Sequence, residues 1–574
     1  MPRTPSLPNL CKRSSMIACS VSPPRRNSLL VGCRDSTRMR FSSSLARWLL
    51  ARMSRSSSYN EVDMIRCEAL IPWSSDLVTL GRRYADRIAV QDGANDLTYS
   101  GLCAKAHALA AVLCTPEHRP GRRIGVLLGN GIPAVVADYA LSIIGGCIVH
   151  LNPAYSESDL QWCLQIAPFD LLITEFALLE RVADLGIETL VFDDASLQSA
   201  PMPDLPLPAV RGGTEARIIF TSGSTGKPKA VVYTQQKRWM AATVLRSVLS
   251  YRPDASGGIA LMTPYVHGAS SLARAYLDCG GCVILMAGVD SARLRSGLQV
   301  REIDALFAPP SVLAKVAEAL DGDTFLHVRC VYSGTQPLPV STYQKAVAIF
   351  GKSVRITYGK SENLNPISVL DPQEADEVYA ANDPSAGTCT GYLGPGVEVK
   401  LSDSGEILLR SQHGYDGYLT ESGFIPQTAN DWHETGDRGY FDEAGRLWLT
   451  GRTSDVINTG GYMVSPDEIE AALSIEDAAR EICVLGLPSS YWTQIIVCAY
   501  VPRDKTSNSA TGLMNALTHL TKYKRPRLYV AMNSMIRTPA GKVDRRATRD
   551  WIMANYTLID GPYPVLEFRG TETR

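Results

Sequence analysis

A nine-residue stretch in the middle of the chain concentrates groups that bind anions. It reads Thr221-Ser222-Gly223-Ser224-Thr225-Gly226-Lys227-Pro228-Lys229 and follows an apolar run at residues 218–220. Glycines let backbone N–H groups approach an anion closely, and hydroxyl and ammonium groups supply further donors. We therefore predict that this loop is a flexible clamp for a polyphosphate.

Other phosphate-binding and nucleophile motifs fit the chain less well. Pro228 follows Gly226-Lys227, so the P-loop pattern fails, and no G-x-S-x-G nucleophile elbow occurs. Residues 129–134 match G-x-G-x-x-A, but no acid stands at the end of the next predicted strand to bind a ribose. We prefer a plain strand-to-helix turn there, with a dinucleotide site as the alternative.

Several further segments carry charged, hydroxyl or glycine groups in a fixed order. They are Tyr358-Gly359-Lys360-Ser361-Glu362, Thr435-Gly436-Asp437, residues 451–457 with Gly460-Gly461, Tyr523-Lys524-Arg525-Pro526, and Pro539-Ala540-Gly541-Lys542 with Arg545. Together with the loop at 221–229, these segments resemble the signature motifs of the AMP-forming adenylating enzymes, which include acyl-CoA synthetases, nonribosomal adenylation domains and luciferases. Order and spacing agree over about residues 97 to 546. The chain looks most similar to acyl- or aryl-CoA ligases.

The resemblance implies a two-step reaction with ATP, Mg²⁺ and coenzyme A as a co-substrate. The carboxylate of a small acid attacks the α-phosphate of ATP, pyrophosphate leaves, and the acyl group then passes to the CoA thiol. Because both reactants of the first step are anions, the enzyme must supply positive charge where they meet. A carrier protein loaded in trans is the alternative acceptor.

The resemblance also implies roles for individual residues. Lys542 supplies the positive charge, Glu362 holds Mg²⁺, Ser361 donates to the α-phosphate, and His267 borders the carboxylate pocket. Tyr358 packs against adenine, and Asp437 accepts the ribose hydroxyls beside Arg452. The implied nucleotide and CoA residues are Thr221, Ser222, Gly223, Ser224, Thr225, Gly226, Lys227, Gly334, Tyr358, Gly359, Asp437, Arg452, Gly460 and Gly461, the last two along the pantetheine tunnel.

The segment around His267 bears on the class of acid. It contains no carboxylate to pair with an α-ammonium group, and burying that ion unpaired is costly, so an α-amino acid is disfavoured. A packing histidine is the alternative interpretation of His267. Thr335 and Gln336 are larger than the residues usual at their places, which favours a short, polar or aromatic acid over a long fatty chain. Lys360 occupies a variable place, and we assign it no role.

The elements that position these groups alternate along the chain. Apolar runs at 123–128, 147–151, 171–174 and 217–221 alternate with helical segments at 132–144 and 157–166, which indicates a mostly parallel α/β sheet. After about residue 397, short alternating segments with tight turns indicate a β-rich part. The chain then returns to mixed α and β, with a helix predicted at 466–474.

With the resemblance, this pattern implies an α/β fold. The expected parts are an extension at 1–60, a large AMP-binding domain at 61–451 and a small mobile α+β domain at 452–574 that carries Lys542. Two α/β sheet subdomains and a β-barrel-like subdomain form the large domain. Members of the family turn the small domain about a hinge just after the Gly-Arg pair, which here is Ser454.

Composition limits the function classes. The formal net charge is −1, which argues against nucleic-acid binding through bulk charge, and no apolar run reaches the length of a transmembrane segment. Residues 1–60 carry eleven Lys and Arg but one acid, so they resemble an organellar transit peptide or a disordered tail. We predict a cytoplasmic enzyme, with a mitochondrial or other organellar location as the alternative. A non-catalytic binding protein and a binder of nucleic acid or membrane through the basic extension are weaker hypotheses.

Overall fold

The computed structural model describes residues 69–93, 95–114, 119–192, 208–221, 229–381, 386–428, 430–474, 479–503, 509–539 and 541–569. The chain divides into two units, Met1–Arg66 and Cys67–Arg574, and every described residue belongs to the second. The predicted basic extension at 1–60 and residues 222–228 of the predicted polyphosphate loop therefore lie outside the described residues.

Five of the described α-helices begin at a residue whose side chain caps them. Thr98, Ser156, Thr234, Asp290 and Asp544 each accept a hydrogen bond from a backbone N–H in the first turn of a helix, which satisfies groups that helix geometry leaves unpaired. The helices are α1 Trp73–Arg83, α2 Tyr99–Leu113, α3 Ile132–Ile143, α4 Glu157–Ile166, α5 Gln235–Ser247, α6 His267–Asp278, α7 Ser291–Gln299, α8 Pro310–Ala319, α9 Val340–Phe350, α10 Pro372–Ala381, α11 Pro466–Ser474, α12 Ser509–Ala516 and α13 Arg545–Asn555.

The strands follow the apolar runs of the sequence. They are β1 Ile88–Asp92, β2 Asn95–Thr98, β3 Arg123–Leu127, β4 Cys147–His150, β5 Leu171–Thr174, β6 Glu188–Val191, β7 Glu215–Thr221, β8 Lys229–Thr234, β9 Gly258–Leu261, β10 Cys282–Leu285, β11 Ile303–Phe307, β12 Cys330–Gly334, β13 Val354–Lys360, β14 Asn363–Leu370, β15 Thr388–Leu393, β16 Val397–Leu401, β17 Glu406–Ser411, β18 Gly417–Thr420, β19 Gly423–Pro426, β20 His433–Phe441, β21 Leu447–Arg452, β22 Ile457–Thr459, β23 Tyr462–Val464, β24 Ala479–Ser489, β25 Thr493–Pro502, β26 Leu528–Ala531, β27 Tyr556–Ile559 and β28 Val565–Phe568.

Two large sheets carry most of these strands. The first has thirteen strands in the order β16-β17-β20-β21-β15-β14-β13-β12-β11-β9-β10-β1-β2, and the second has eight in the order β19-β18-β8-β7-β4-β3-β5-β6. Their central strands are parallel, and every residue of β4, β5 and β9 is buried, as expected for strands covered on both faces. The predicted parallel α/β arrangement is confirmed.

The predicted β-rich part divides between the two sheets. Strands β15, β16, β17, β20 and β21 pair antiparallel and extend the thirteen-stranded sheet through β14. The β18–β19 hairpin instead pairs with β8 and extends the eight-stranded sheet. Backbone hydrogen bonds thus tie the β-rich part to both α/β sheets.

The turn at residues 129–134 is occupied by carboxylates of the protein itself. Glu175 accepts the N–H of Gly129 at 3.1 Å, and Asp92 accepts the N–H of Ile132 at 3.0 Å. These donors are the ones that a dinucleotide phosphate would use at a helix N-terminus. The interpretation as a strand-to-helix turn is therefore the better one.

A smaller sheet follows the large ones along the chain. It contains β22 to β26, with β25 between β22 and β24, and β26 also pairs with β25. Helices α11 and α13 both pack against β24, and buried apolar residues form one cluster around α11 and another around α13. The predicted helix at 466–474 is confirmed as α11. Among the described residues, no helix combines the length and apolar character that crossing a bilayer needs.

Candidate active site

A cleft of about 2120 Å³ is lined by residues of the thirteen-stranded sheet, the eight-stranded sheet and the C-terminal part. The predicted site residues that line it are Thr221, His267, Tyr358, Gly359, Ser361, Glu362, Asp437, Arg452 and Lys542. Gly334, Gly460 and Gly461 are described but are not among the lining residues. Ser222, Gly223, Ser224, Thr225, Gly226 and Lys227 lie outside the described residues.

Asp437 is the most heavily bonded carboxylate of the cleft. Its Oδ1 accepts from Arg452 Nε at 2.9 Å, and its Oδ2 accepts from the Tyr358 hydroxyl at 2.6 Å. Asp437 and Arg452 stand directly opposite each other on the antiparallel strands β20 and β21, which explains the contact. Burial alone would raise the pKa of Asp437, but Lys360 and Arg452 attract its charge and hold that pKa below its usual value.

Lys360 is a residue of this site that sequence reasoning missed. Its Nζ lies 3.3 Å from Asp437 Oδ2 and also donates to the carbonyl of Thr435. The two-residue spacing of Tyr358 and Lys360 at the end of β13 was the available signal, since such a spacing places residues of a regular strand on one face. The pairing with β14 shifts register between them, and both side chains still reach Asp437. Lys360 is thus a buried partner of Asp437 instead of a residue without a role.

Ser361 and His267 meet on the other side of the cleft. Ser361 Oγ lies 3.4 Å from His267 Nδ1, and the Ser361 carbonyl accepts from the Tyr233 hydroxyl at 2.6 Å. Burial, together with the positive charges of Arg217 and Lys542, lowers the pKa of His267 to about 3. The imidazole is therefore neutral at physiological pH, so it can take part in hydrogen bonds without adding charge.

His267 begins helix α6 with a left-handed backbone, at a φ of 49°. The hydroxyls of Ser270 and Ser271 donate to its carbonyl at 3.0 and 3.2 Å, and the guanidinium of Arg217 on β7 donates to both hydroxyls. A non-glycine residue adopts this backbone only where its surroundings hold it. Arg217 and the two serines supply that support from beneath the cleft.

Glu362 has one oxygen engaged. Its Oε1 accepts from the Tyr418 hydroxyl at 2.7 Å, whereas no described residue contacts its Oε2. A carboxylate that lines a cleft and has one oxygen without a hydrogen-bond donor is a suitable ligand for Mg²⁺, which prefers carboxylate oxygen and retains several waters. The residue therefore fits the metal role that the sequence suggested.

Lys542 is presented by a tight turn of the C-terminal part. The N–H of Thr538 donates to the Lys542 carbonyl at 2.8 Å, and Gly541 within the turn has a φ of 79°, which favours glycine. The Asn152 side chain donates to the carbonyl of Pro539 at 3.3 Å and so joins this turn to the eight-stranded sheet side of the cleft.

The ammonium group of Lys542 lies near two cations and two carboxylates of the cleft. Burial and repulsion from Arg452 and Lys360 lower its pKa to about 8, although Asp437 and Glu362 act in the opposite direction. A buried ammonium group with a lowered pKa binds an incoming anion strongly, because water no longer competes for it. The arrangement can therefore neutralise two anions that meet in the cleft.

Gly334 ends β12 where two strands approach closely. A Cβ at this position would lie 2.4 Å from the carbonyl oxygen of Thr357 on β13, so only glycine fits without a shift. The next residue, Thr335, has a φ of 73° and lines the cleft. A β-branched residue is rare with this backbone, so the larger side chain is held in the cleft at a conformational cost.

Gly460 and Gly461 form the tip of the β22–β23 hairpin. The N–H of Gly460 donates to the Trp492 carbonyl at 2.7 Å, and a Cβ on Gly460 would lie 3.1 Å from the indole ring. Arg527 stacks over the same indole, 3.7 Å from the ring centroid. The hairpin tip is therefore packed onto the small sheet in the arrangement that the structure shows.

The predicted hinge lies in a short helical turn, Thr453–Asp455. The Ser454 hydroxyl donates to Asp455 at 2.8 Å, and Arg545 donates to the other oxygen of Asp455 at 3.0 Å. Arg545 also binds Asp467 and, at 2.7 Å, Glu470. One arginine thus ties the segment after Arg452 to helix α11.

Comparisons with known proteins agree with this geometry. The model of the AMP-binding enzyme family matches residues 79–419. A curated 2-succinylbenzoate–CoA ligase of Bacillus cereus is 27% identical over 472 residues, which cover 81% of this chain and 96% of that protein.

Solved structures give the same result. The o-succinylbenzoate CoA synthetase MenE of Bacillus subtilis, in complex with its acyl-adenylate intermediate OSB-AMP, is 24% identical with a TM-score of 0.72, over 83% of this chain and 98% of that one. The amide bond synthetase McbA of Marinactinospora thermotolerans is 25% identical with a TM-score of 0.72, over 84% and 99%.

These comparisons confirm the predicted resemblance to adenylating enzymes and the predicted fold of a large N-terminal and a small C-terminal domain. The prediction of an AMP-forming acid–thiol ligase also agrees with the family and with its curated relatives. The family model spans more than half of the chain, and the cleft presents the charges that adenylation needs. The chain belongs to the AMP-binding enzyme family.

Proposed function

We propose that this enzyme is an ATP-dependent carboxylate–CoA ligase, which makes an acyl-adenylate, releases pyrophosphate and passes the acyl group to CoA. The observation that carries the proposal is the placement of Lys542. A lysine of the C-terminal part lines the same cleft as Ser361, Glu362 and Asp437, and its charge interacts with both carboxylates. Such a site can bring two anions together.

In the first step, the substrate carboxylate attacks the α-phosphate and pyrophosphate leaves. Lys542 neutralises the charge of both groups as they approach, which is the largest contribution a residue can make to this step. The Ser361 hydroxyl donates to an α-phosphate oxygen. The imidazole of His267 borders the substrate carboxylate and, being neutral, does not form an ion pair with it that would compete with Lys542.

The nucleotide is held by residues on the other side of the cleft. Asp437 accepts a ribose hydroxyl with the acceptor position that its protein partners leave free on Oδ1, and Tyr358 and Gly359 border the adenine. Glu362 would hold Mg²⁺, which would offset the negative charge of the phosphates.

The second step follows a rotation of the residues after Arg452 about Ser454. Ser454 is small and lies in a single helical turn, so it can absorb a change of backbone angles. Rotation would remove Lys542 from the cleft and bring the Gly460–Gly461 hairpin tip, which does not line the cleft here, toward the acyl-adenylate.

Two neighbouring residues of the cleft bear on the class of acid that the enzyme accepts. Thr335 and Gln336 line the cleft with side chains larger than those usual at their places in the family, which supports a short polar or aromatic acid. The curated relatives named 2-succinylbenzoate–CoA ligases make that acid the first candidate. We place the reaction in the cytoplasm by analogy with these bacterial proteins.

A panel of carboxylic acids, screened by pyrophosphate release with ATP and Mg²⁺, tests the first step. For an acid that reacts, CoA, a carrier protein and a simple amine are then offered as acceptors. The amine is included because one structural neighbour is an amide bond synthetase. We expect thioester formation with CoA; transfer to the carrier protein or the amine alone would contradict the proposed function.

A further inference from the structure

Lys360, the last residue of β13, is a cation inside the nucleotide side of the cleft. Its Nζ lies 3.3 Å from Asp437 Oδ2, it donates to the Thr435 carbonyl, and its side chain is 12% exposed. A lysine on the protein surface that has no specific role keeps its ammonium group in water, because burial would cost the free energy of hydration and the conformational entropy of the side chain. Burial against one carboxylate indicates that Lys360 acts on that carboxylate.

The partners of Asp437 approach it from two sides. Arg452 contacts Oδ1, whereas Tyr358 and Lys360 contact Oδ2. A carboxylate has about four acceptor positions, so these three donors fix the plane of the group and leave about one position, on Oδ1, for a further donor. The side chain of Arg452 is 53% exposed and that of Lys360 is 12% exposed, so Lys360 is the less hydrated of the two cations.

The backbone around Lys360 is equally constrained. Thr435 and Asp437 are both buried and lie on the same face of β20, and the ammonium group contacts both of them, the first at its carbonyl and the second at its carboxylate. On β13, Tyr358 and Lys360 both reach Asp437 Oδ2, although the pairing with β14 shifts register between them. A change in the side chain at 360 would therefore alter the orientation of Asp437.

We propose that Lys360 is a positioning residue, which holds the Asp437 carboxylate in the orientation that accepts the ribose hydroxyls of the nucleotide. The inference rests on the proposed function, because it takes Asp437 as the ribose acceptor. Lys360 and Tyr358 hold Oδ2, Arg452 holds Oδ1, and the acceptor position left on Oδ1 is the one offered to a ribose hydroxyl. Without Lys360, the carboxylate turns about its Cβ–Cγ bond and presents that position less often.

The test compares the binding of AMP with that of 2′,3′-dideoxy-AMP by titration calorimetry, which needs no acid substrate. The variants are Lys360→Met, which keeps length and removes charge, and Lys360→Arg, which keeps the charge. Lys345→Met is the matched control, because Lys345 lines the same cleft but is exposed. Thermal unfolding of each variant is recorded alongside.

We expect Lys360→Met to weaken AMP binding about tenfold, as the loss of a hydrogen bond to a charged group does. The same variant should change 2′,3′-dideoxy-AMP binding less than about twofold, because no ribose hydroxyl is left to lose. Lys360→Arg should bind AMP within about threefold of the wild type, and Lys345→Met should bind both nucleotides unchanged.

Other results overturn the inference. Equal weakening for both nucleotides would mean that Lys360 acts on the phosphate or on the fold, and unchanged AMP binding would mean that it does nothing for the ribose. If Lys360→Met unfolds at a lower temperature than the wild type, the Lys360→Arg variant decides. A Lys360→Arg variant that unfolds normally but binds AMP about tenfold more weakly than the wild type contradicts the inference. A wild type that binds AMP but converts no acid would refute the proposed function and leave the Lys360 result standing.

Discussion

The guanidinium of Arg217 is linked to the carbonyl of His267 through the hydroxyls of Ser270 and Ser271. His267 has a left-handed backbone at the start of α6, and its ring lies 3.4 Å from Ser361. The link crosses from the eight-stranded sheet to the helix that borders the cleft. Through this link, Arg217 helps to hold His267 at the border of the proposed carboxylate pocket.

We predict that the double variant Ser270→Ala/Ser271→Ala raises the KM for the acid about tenfold and leaves the KM for ATP within about twofold. The reason is that His267 loses two hydrogen bonds to its carbonyl, each worth about 1 kcal/mol. Steady-state pyrophosphate release measures both constants. Ser247→Ala is the control, since Ser247 is an exposed serine at the end of α5. An equal rise in both KM values would show that the serines support the fold instead of the pocket.

We predict that Lys542→Ala lowers acid-dependent pyrophosphate release by about 10³-fold or more, as loss of a preorganised electrostatic donor does. Thioester formation from supplied acyl-adenylate and CoA should keep most of its rate, because that step does not need the positive charge of Lys542 beside the α-phosphate. Single-turnover assays measure each step separately. Lys315→Ala removes an exposed lysine that lines the same cleft and serves as the control. Equal loss of both steps would contradict the role proposed for Lys542.

The lowered pKa of Lys542 predicts that activity falls on the alkaline side of the pH profile. Because this pKa is lowered to about 8, the ammonium form dominates below pH 8 and is lost above it. We expect kcat/KM for ATP to fall with a midpoint near pH 8, since this ratio reports groups of the free enzyme. His267, whose pKa is about 3, should add no limb between pH 5 and 8.

Lys542→Arg separates this limb from other groups. Arginine stays charged throughout the accessible range, so its profile should lose the limb near pH 8, at a lower overall rate. A limb that stays in place in Lys542→Arg would belong to another residue.

Arg545 pairs with three carboxylates around the proposed hinge, those of Asp455, Asp467 and Glu470. We predict that Arg545→Ala lowers the free energy of unfolding of the C-terminal part by about 2 kcal/mol, because it leaves these half-buried carboxylates without their common partner. Arg549→Ala, in the same helix and partly exposed, should cost less than about 1 kcal/mol. Urea unfolding followed by tryptophan fluorescence measures both.

The cost should depend on pH with a definite sign. Burial and the charge of Asp467 raise the pKa of Glu470, while Arg545 opposes the rise. Without Arg545 this pKa rises further, so Glu470 takes up a proton more readily, and a neutral carboxyl is cheaper to bury. The loss of stability should therefore be smaller at pH 6 than at pH 8. A loss that is independent of pH would exclude Glu470 as the cause.

Local patterns made much of this protein predictable. The apolar runs at 123–128 and 171–174 became buried parallel strands, and the helix predicted at 466–474 was found, because periodicity and caps act over neighbouring residues. The short alternating segments after residue 397 predicted the β-rich part, but not which sheet each of its strands extends. Strand pairing between distant segments has no local signal, so the sequence could not show it.

The same division applies to the site. The sequence alone determined which groups are available and their order, since each motif keeps its donors within a few neighbouring residues. Only the tertiary structure decided that Lys360 meets Asp437, 77 residues away, and that Arg217 supports His267. Such contacts depend on which strands pair and which faces they share, and folding settles both through the burial of the whole core.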